Sequence, residues 1–194
     1  MTIFSGSSDS GYIGFNDTAS ASMQGFIQYN HNGDYMAFGP NGTEKMRIDA
    51  SGRVLKPYQP AFKAAYISRN ATGTDRVIST ANGDSFRTGR DEYNTGNHFS
   101  ESTGRFTAPV AGTYVFNSTL MRSGNSGTVL ENRIKKNGII IWARAYAGAY
   151  TSSYQQSTIF TTTKMNAGDY VENYISGTVS IYNDDSYFTG YLIG

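Results

Sequence analysis

The sequence predicts an all-β sandwich, and three observations carry that expectation. Apolar and polar residues alternate in many short runs, while almost no window of about eleven residues escapes a Gly, a Pro or a cluster of β-branched and aromatic residues. Aromatic residues make up 14% of the 194 and charged residues only 16%, where about a quarter is usual for charge. Turn signals recur at short spacing between the runs, as they do in sandwiches and barrels. A helical enzyme fits this profile poorly.

Residues 1–56 read as a β segment of very short strands. Their apolar residues come in bursts punctuated by Asn32-Gly33, Asn41-Gly42 and Ser51-Gly52, a turn every nine or ten residues. A single copy has too few aliphatic residues to offset its chain entropy. The expectation is a piece of an intertwined, oligomeric shaft. Lys56-Pro57-Tyr58-Gln59-Pro60 then disfavours helix and central strand alike and reads as a short stiff linker. It opens a second domain, 57–194.

In that domain strands are expected at Ala61 to Ser68, Arg105 to Ala108, Gln156 to Lys164, Asp169 to Ser176 and Ser186 to Ile193. Alternation from Thr113 to Leu120 puts Tyr114, Phe116, Ser118 and Leu120 on one face. Asn137-Gly138, between Ile134 and Ile140, is a hairpin signal, because that pair supplies positive φ at both central turn positions. Further turns fall at Ala111-Gly112, 123–127, Ala167-Gly168-Asp169 and 183–185.

Charge and composition exclude several functions. A net charge of +1 provides no field to recruit nucleic acid or an anionic membrane. The absence of cysteine rules out disulfides, thiolate metal sites and thiol nucleophiles. The longest apolar run, Ile139 to Ala143, is far short of a membrane span, so no membrane insertion is expected. Met1-Thr2-Ile3-Phe4-Ser5 has no basic or apolar leader character, and so abrupt a start fits a piece of a longer chain.

Five blocks in order make the second domain resemble the C1q/TNF-like jelly roll, in its C1q branch. They are Pro60-Ala61-Phe62-Lys63-Ala64; Asn94 and Phe99 leading into the run from Gly104 to Phe116 (Gly-Arg-Phe-Thr-Ala-Pro-Val-Ala-Gly-Thr-Tyr-Val-Phe); Lys136-Asn137-Gly138; Ala167-Gly168-Asp169-Tyr170-Val171; and the closing run from Ser186 to Ile193. The chain departs from the family pattern at Thr88, where a phenylalanine is expected and Phe86 stands two residues early, and at Ser118, where an aromatic is expected. The resemblance implies a jelly-roll sandwich and a compact homotrimer. Gly190, between Phe188 and Leu192, is a strand glycine of the kind that marks close approach of another backbone, and in the family this strand lies near the threefold axis.

The first segment is similar to bacteriophage tail-fibre shaft sequence. The similarity rests on 27–31, on Asp34-Tyr35-Met36-Ala37-Phe38-Gly39 and on the stretch from Asn41 to Val54. It implies a virion tail fibre that acts outside the cell, with a parallel trimeric shaft leading to a globular tip. Other tail proteins would attach through the N-terminal end.

Motif by motif, binding is a better expectation than catalysis. The two histidines, His31 and His98, read as structural. Asp91-Glu92 and Asp184-Asp185 are paired acids, but adjacent acids in a strand point to opposite faces and in a turn they solvate it. A glycosidase needs two carboxylates facing one another across a groove. Asn183, Asp184 and Asp185 are also the candidate calcium ligands, since hard cations take carboxylate and carbonyl oxygens; the resemblance adds relatives that bind calcium near the trimer top. The stretch from Trp142 to Tyr154 alternates aromatics with small residues. Tyr146, Tyr150 and Tyr154 are its candidate receptor-binding residues, because Tyr beside Ser and Gly gives rigid contacts next to adaptable hydrogen bonds. The reading that results is a non-catalytic, trimeric tail-fibre tip that attaches to a host surface glycan or protein. The alternatives are a structural trimerisation or virion-decoration domain and a polysaccharide-degrading tailspike tip.

Overall fold

The computed structural model describes the chain except residues 1, 19–22, 67–75, 83–85, 88–91, 124–128, 149–153, 178–179 and 183–184, and of residues 76, 86–87, 123 and 140–142 it describes the backbone alone. The described residues form strands with a single 3₁₀ turn at Thr80–Asn82. They divide into two compact units, Met1–Tyr58 and Gln59–Gly194.

The first unit is an antiparallel meander of β1 (Ser10–Phe15), β2 (Gly25–Asn30), β3 (Tyr35–Pro40), β4 (Met46–Ile48) and β5 (Val54–Leu55), each paired with its neighbours in sequence. Asp34 at φ 46°, Asn41 at 53°, Gly42 at 66° and Gly52 at 80° adopt the left-handed conformations that tight reversals need. Local turns thus close the β2–β3, β3–β4 and β4–β5 connections.

The expected shortage of core is present in this unit. On one face of the sheet Gln28 donates from Nε2 to Ser10 Oγ and Tyr12 Oη, both at 2.9 Å, Arg47 lies 4.0 Å over the Tyr35 ring, and Ala37 between them is buried, while Tyr12 and Leu55 at the ends of the row stay exposed. The register places Ile13, Ile27, Phe38 and Met46 in one row of the opposite face and Tyr29, Met36, Ile48 and Val54 in the next. None of these eight side chains is fully buried.

The second unit continues with β6 (Ala61–Tyr66), β7 (Arg76–Val77), β8 (Phe86–Arg87), β9 (Tyr93–Thr95), β10 (Phe99–Ser100), β11 (Arg105–Thr107) and β12 (Gly112–Ser123). Then come β13 (Leu130–Lys136), β14 (Ile139–Ala147), β15 (Gln155–Met165), β16 (Tyr170–Ser176), β17 (Ser180–Ile181) and β18 (Tyr187–Leu192). One sheet runs β15-β12-β18-β6-β8 with β9 and β17 alongside; the other runs β10-β11-β16-β13-β14 with β7 on β16. The crossovers between the sheets produce a jelly-roll sandwich.

Between the sheets lies an aromatic core. Phe62 stacks on Phe99 with centroids 4.7 Å apart, stacks on Phe106 at 5.0 Å and meets Phe188 edge-on at 5.0 Å. Tyr114, Phe116, Ser118 and Leu120 are all buried on the inward face of β12, as the alternation requires. Gly190 differs from its expectation. A Cβ there would collide with the rings of Phe116 and Phe62, so the glycine makes room for the chain's own core rather than for another backbone.

Ser118 has a partner in the opposite sheet. Its Oγ donates to Asn132 Oδ1 at 3.1 Å, and Asn132 Nδ2 returns to the carbonyls of Ser118 at 3.3 Å and Ser157 at 3.1 Å. Asn173 Nδ2 donates to the same Oδ1 at 2.7 Å. A buried polar bridge therefore replaces the aromatic expected at 118, with Asn132 Oδ1 and Nδ2 both paired while Asn173 Oδ1 is left without a partner among the described residues. Asn94 is explained as well. Its side chain donates to Phe99 O at 2.8 Å and accepts from Phe99 N at 3.0 Å, which locks the turn through Gly96 and Asn97.

Candidate recognition surfaces

Strand direction gives the second unit two distinct ends. Gln59 Nε2 donates to Leu192 O at 2.9 Å, Leu192 N donates to Pro60 O, and Thr113 N donates to Gly194 O. The chain therefore enters at the end where β12 starts and β18 finishes. β12 and β14 run away from that end, while β13 and β15 begin at the far one. The ends of β12 and β14, the starts of β13 and β15 and the segment before β18 consequently cluster far from Gln59.

Tyr146 and Tyr154 both lie at this far end. Tyr146, 57% exposed, stands opposite Glu131 on the outward face of β14. Arg144 donates from Nη1 to its hydroxyl at 3.2 Å and from Nε reaches Glu131 Oε1 at 2.9 Å. The hydrogen bond to Tyr146, more than the charge of Glu131, raises the guanidinium above its ordinary value. Tyr154, 63% exposed, meets Tyr182 edge-on with ring centroids 5.3 Å apart. The two tyrosines therefore have different supports, one a guanidinium and the other a second ring. Tyr150 lies outside the described residues.

Two buried groups that the sequence reading did not single out hold this end together. Arg122, fully buried, donates from Nη1 to Gly148 O at 2.9 Å and ties Gly148, just past β14, to the end of β12. Ser186 accepts from Met121 N at 2.9 Å and donates to Tyr182 O at 2.6 Å, which closes the last turn. The signal for Arg122 was available: inward alternation through Tyr114, Phe116, Ser118 and Leu120 continues to 122, and an arginine in that register calls for a buried acceptor.

Asp185 is exposed in a turn, and Asn183 and Asp184 lie outside the described residues. Among the described residues no three His, Asp or Glu side chains gather as metal ligands. Asp91 is also outside them, and Glu92 is half-buried. The histidines pack on aromatic rings, His31 against Tyr29 at 4.9 Å and His98 against Phe106 at 6.4 Å.

The outer faces of the two sheets differ in chemistry. On the β15-β12-β18-β6 side, register aligns Thr162, Val115, Tyr191 and Ala61 in one row and Phe160, Asn117, Thr189 and Lys63 in the next. Lys63 is the single charge in these two rows. On the other sheet Arg105 bonds Glu172 at 2.6 Å and lies 4.1 Å over Tyr170, while Lys135 lies 3.7 Å over Tyr174. The two central rows of the first face thus carry a single charge, with Lys164 beyond them opposite Thr113, and the other face is an ion-paired, tyrosine-lined surface.

The sandwich belongs to a known family. The model of the C1q domain matches residues 71–193, and the chain is a member of the C1q domain family. Among solved structures it is similar to the globular domain of zebrafish complement 1qA protein, at TM-score 0.54 and 19% identity over 70% of this chain and 98% of that one. It is also similar to murine APRIL, at TM-score 0.52 and 9% identity over 70% of this chain and 99% of that one. At these identities the likeness defines the fold. No curated protein matches the sequence. No described helix is long and apolar enough to cross a membrane.

Proposed function

We propose that this chain is a trimeric attachment module: the tip of a fibre, of the kind phage tails carry on the virion, that holds a host surface glycan or protein outside the cell. The observation that carries this reading is the polarity of the second unit. It presents exposed Tyr146 and Tyr154 at the end opposite to the one where the chain enters. C1q/TNF-like domains form trimers, and the two central rows on the outer face of the β15-β12-β18-β6 sheet, with Lys63 as their single charge, are suited to that contact, since little charge must be desolvated there. Three copies would point three sets of tyrosines the same way, so that modest single-site affinities multiply. Other tail proteins would attach through the N-terminal end. A binding rather than a catalytic role is supported by the aromatic partners of both histidines and by the ion-paired state of Glu131 and Glu172.

The test is binding of the purified full chain to a glycan array and to candidate host cells, alongside Tyr146→Ala and Tyr154→Ala. Binding is expected to fall at least tenfold in the variants with sedimentation unchanged. A trimer that binds nothing and does not block phage adsorption would favour a structural trimerisation or decoration unit. Release of sugar from capsule or lipopolysaccharide would favour a polysaccharide-cleaving tip.

A further inference from the structure

The outer face of the β10-β11-β16-β13-β14 sheet carries the same small unit twice. Arg105 gives its Nε to Glu172 Oε1 at 2.6 Å and lies 4.1 Å over the Tyr170 ring. Arg144 reaches Glu131 Oε1 from Nε at 2.9 Å and donates from Nη1 to the Tyr146 hydroxyl at 3.2 Å. In both units a mostly buried carboxylate, 2% exposed for Glu172 and 18% for Glu131, holds the Nε edge of a guanidinium whose side chain stays 43% exposed. Among the described residues, the Nη groups of Arg105 and Nη2 of Arg144 have no hydrogen-bond acceptor in the protein. Register puts the two units on one face: Arg105, Glu172 and Lys135 align in one row, and Tyr174, Arg133 and Arg144 in the next. Three strand spacings and one row separate the two arginines, roughly 15 Å.

We infer that this face binds an acidic polysaccharide, with Arg105 and Arg144 each taking one of its carboxylate or sulfate groups. This binding would serve the attachment role proposed above, on which it rests, and gives that role a ligand class. Charge comes first. The two rows and Glu131 beyond them set four cations, Arg105, Arg133, Lys135 and Arg144, against two carboxylates, in a chain whose net charge is +1. The described part of this face therefore attracts anions. Preorganisation comes second. A guanidinium pinned at Nε presents its Nη side as a fork for an oxyanion, and because Glu and Tyr already fix it, little side-chain freedom remains to be lost on binding. Repetition comes third. Two like units on one face match a ligand whose acidic group recurs, which a polymer supplies and a lone ion does not. A protein partner fits less well, since Val77 is the single aliphatic residue among the described side chains of these rows, whereas a protein interface needs a desolvated apolar centre. The trimer contact proposed above uses the other sheet and leaves this one open.

The full chain is expected to bind immobilised polygalacturonate and dextran sulfate but neither methyl-esterified polygalacturonate nor plain dextran, and to release the acidic polymers as salt is raised. Which acidic polymer binds more tightly separates a carboxylate from a sulfate ligand. Arg105→Gln and Arg144→Gln should each weaken binding about tenfold, whereas Arg53→Gln, which removes one cation from the first unit, should leave it unchanged. Arg105→Lys and Arg144→Lys keep a charge beside the buried carboxylates, and so protect the fold, but lose the fork; they should still weaken binding about fivefold. Lysine variants that bind like the parent would overturn the inference, because a diffuse field would then suffice. Equal binding of acidic and neutral polymers would overturn it too, as would tighter capture by polyglutamate, which would make the partner an acidic protein. Binding to host cells without binding to either acidic polymer removes this ligand class and leaves the attachment role standing. No binding to cells or to any polymer removes both.

Discussion

Asp169 illustrates how single side chains set the turns of the sandwich. It accepts from Lys136 Nζ at 2.8 Å, Asn137 Nδ2 at 2.8 Å and Asn166 N at 2.9 Å, which lowers its carboxyl to about 2, the Lys136 bond contributing most. Because the folded value lies below the unfolded value near 3.9, its stabilisation is fully present above about pH 4 and is lost as pH falls through about 2. The stability difference between the parent chain and Asp169→Asn, read by urea unfolding, should therefore shrink steadily over that window. The bridge at Asn132 gives a second prediction. Asn132→Ala removes the acceptor of Ser118 Oγ and one of the two acceptors of Asn173 Nδ2 and should cost about 2–3 kcal/mol. Adding Ser118→Ala should cost much less in that background than in the parent, a non-additivity that a double-mutant cycle measures.

At the scale of elements, the β13–β14 hairpin was legible in the sequence because its turn chemistry is local. Asn137 and Gly138 take φ 49° and 78°, the pair of left-handed conformations that Asn-Gly supplies. Gly138→Ala should lower stability by about 1–2 kcal/mol in thermal unfolding, and Gly138→Asn, which tolerates this region better, by less. The inward face of β12 was legible for a similar reason: period-two alternation survives when one face is packed. Two features were not legible. Ser118 breaks the apolar pattern, and its compensating partners Asn132 and Asn173 are distant in sequence, so no window could join them. Gly190 invited a backbone-approach reading because the sequence does not say which rings lie over it. At the far end, the exposure of Tyr146 and Tyr154 agrees with the tyrosine-rich pattern, and Arg122 was signalled by its inward register, whereas Ser186 acts through a carbonyl and an amide that no sequence motif records.

For the whole molecule, the proposed trimer would separate the two chemistries of the sandwich surface. Phe160 is 67% exposed in the sparsely charged central rows of the β15-β12-β18-β6 sheet's outer face. In an isolated chain Phe160→Lys would be close to neutral, but in a trimer built on this face it would bury an unpaired charge. The expected outcome is a monomer with unchanged circular dichroism, measured by sedimentation; an intact trimer would move the contact elsewhere. Composition had already hinted at such a contact, since an aromatic share close to the charged share exceeds what one small sandwich encloses.

The separation of chain entry from the tyrosine-bearing end has a mechanical consequence. A ligand gripping the far end, with the chain anchored at Gln59, pulls along the axes of the strands. β12 and β15 are paired continuously from Gly112–Met165 to Arg122–Gln155, so their hydrogen bonds share the load in shear instead of opening one after another like a zipper. Tension between a particle and a surface would thus fall on the direction in which this sandwich is hardest to tear.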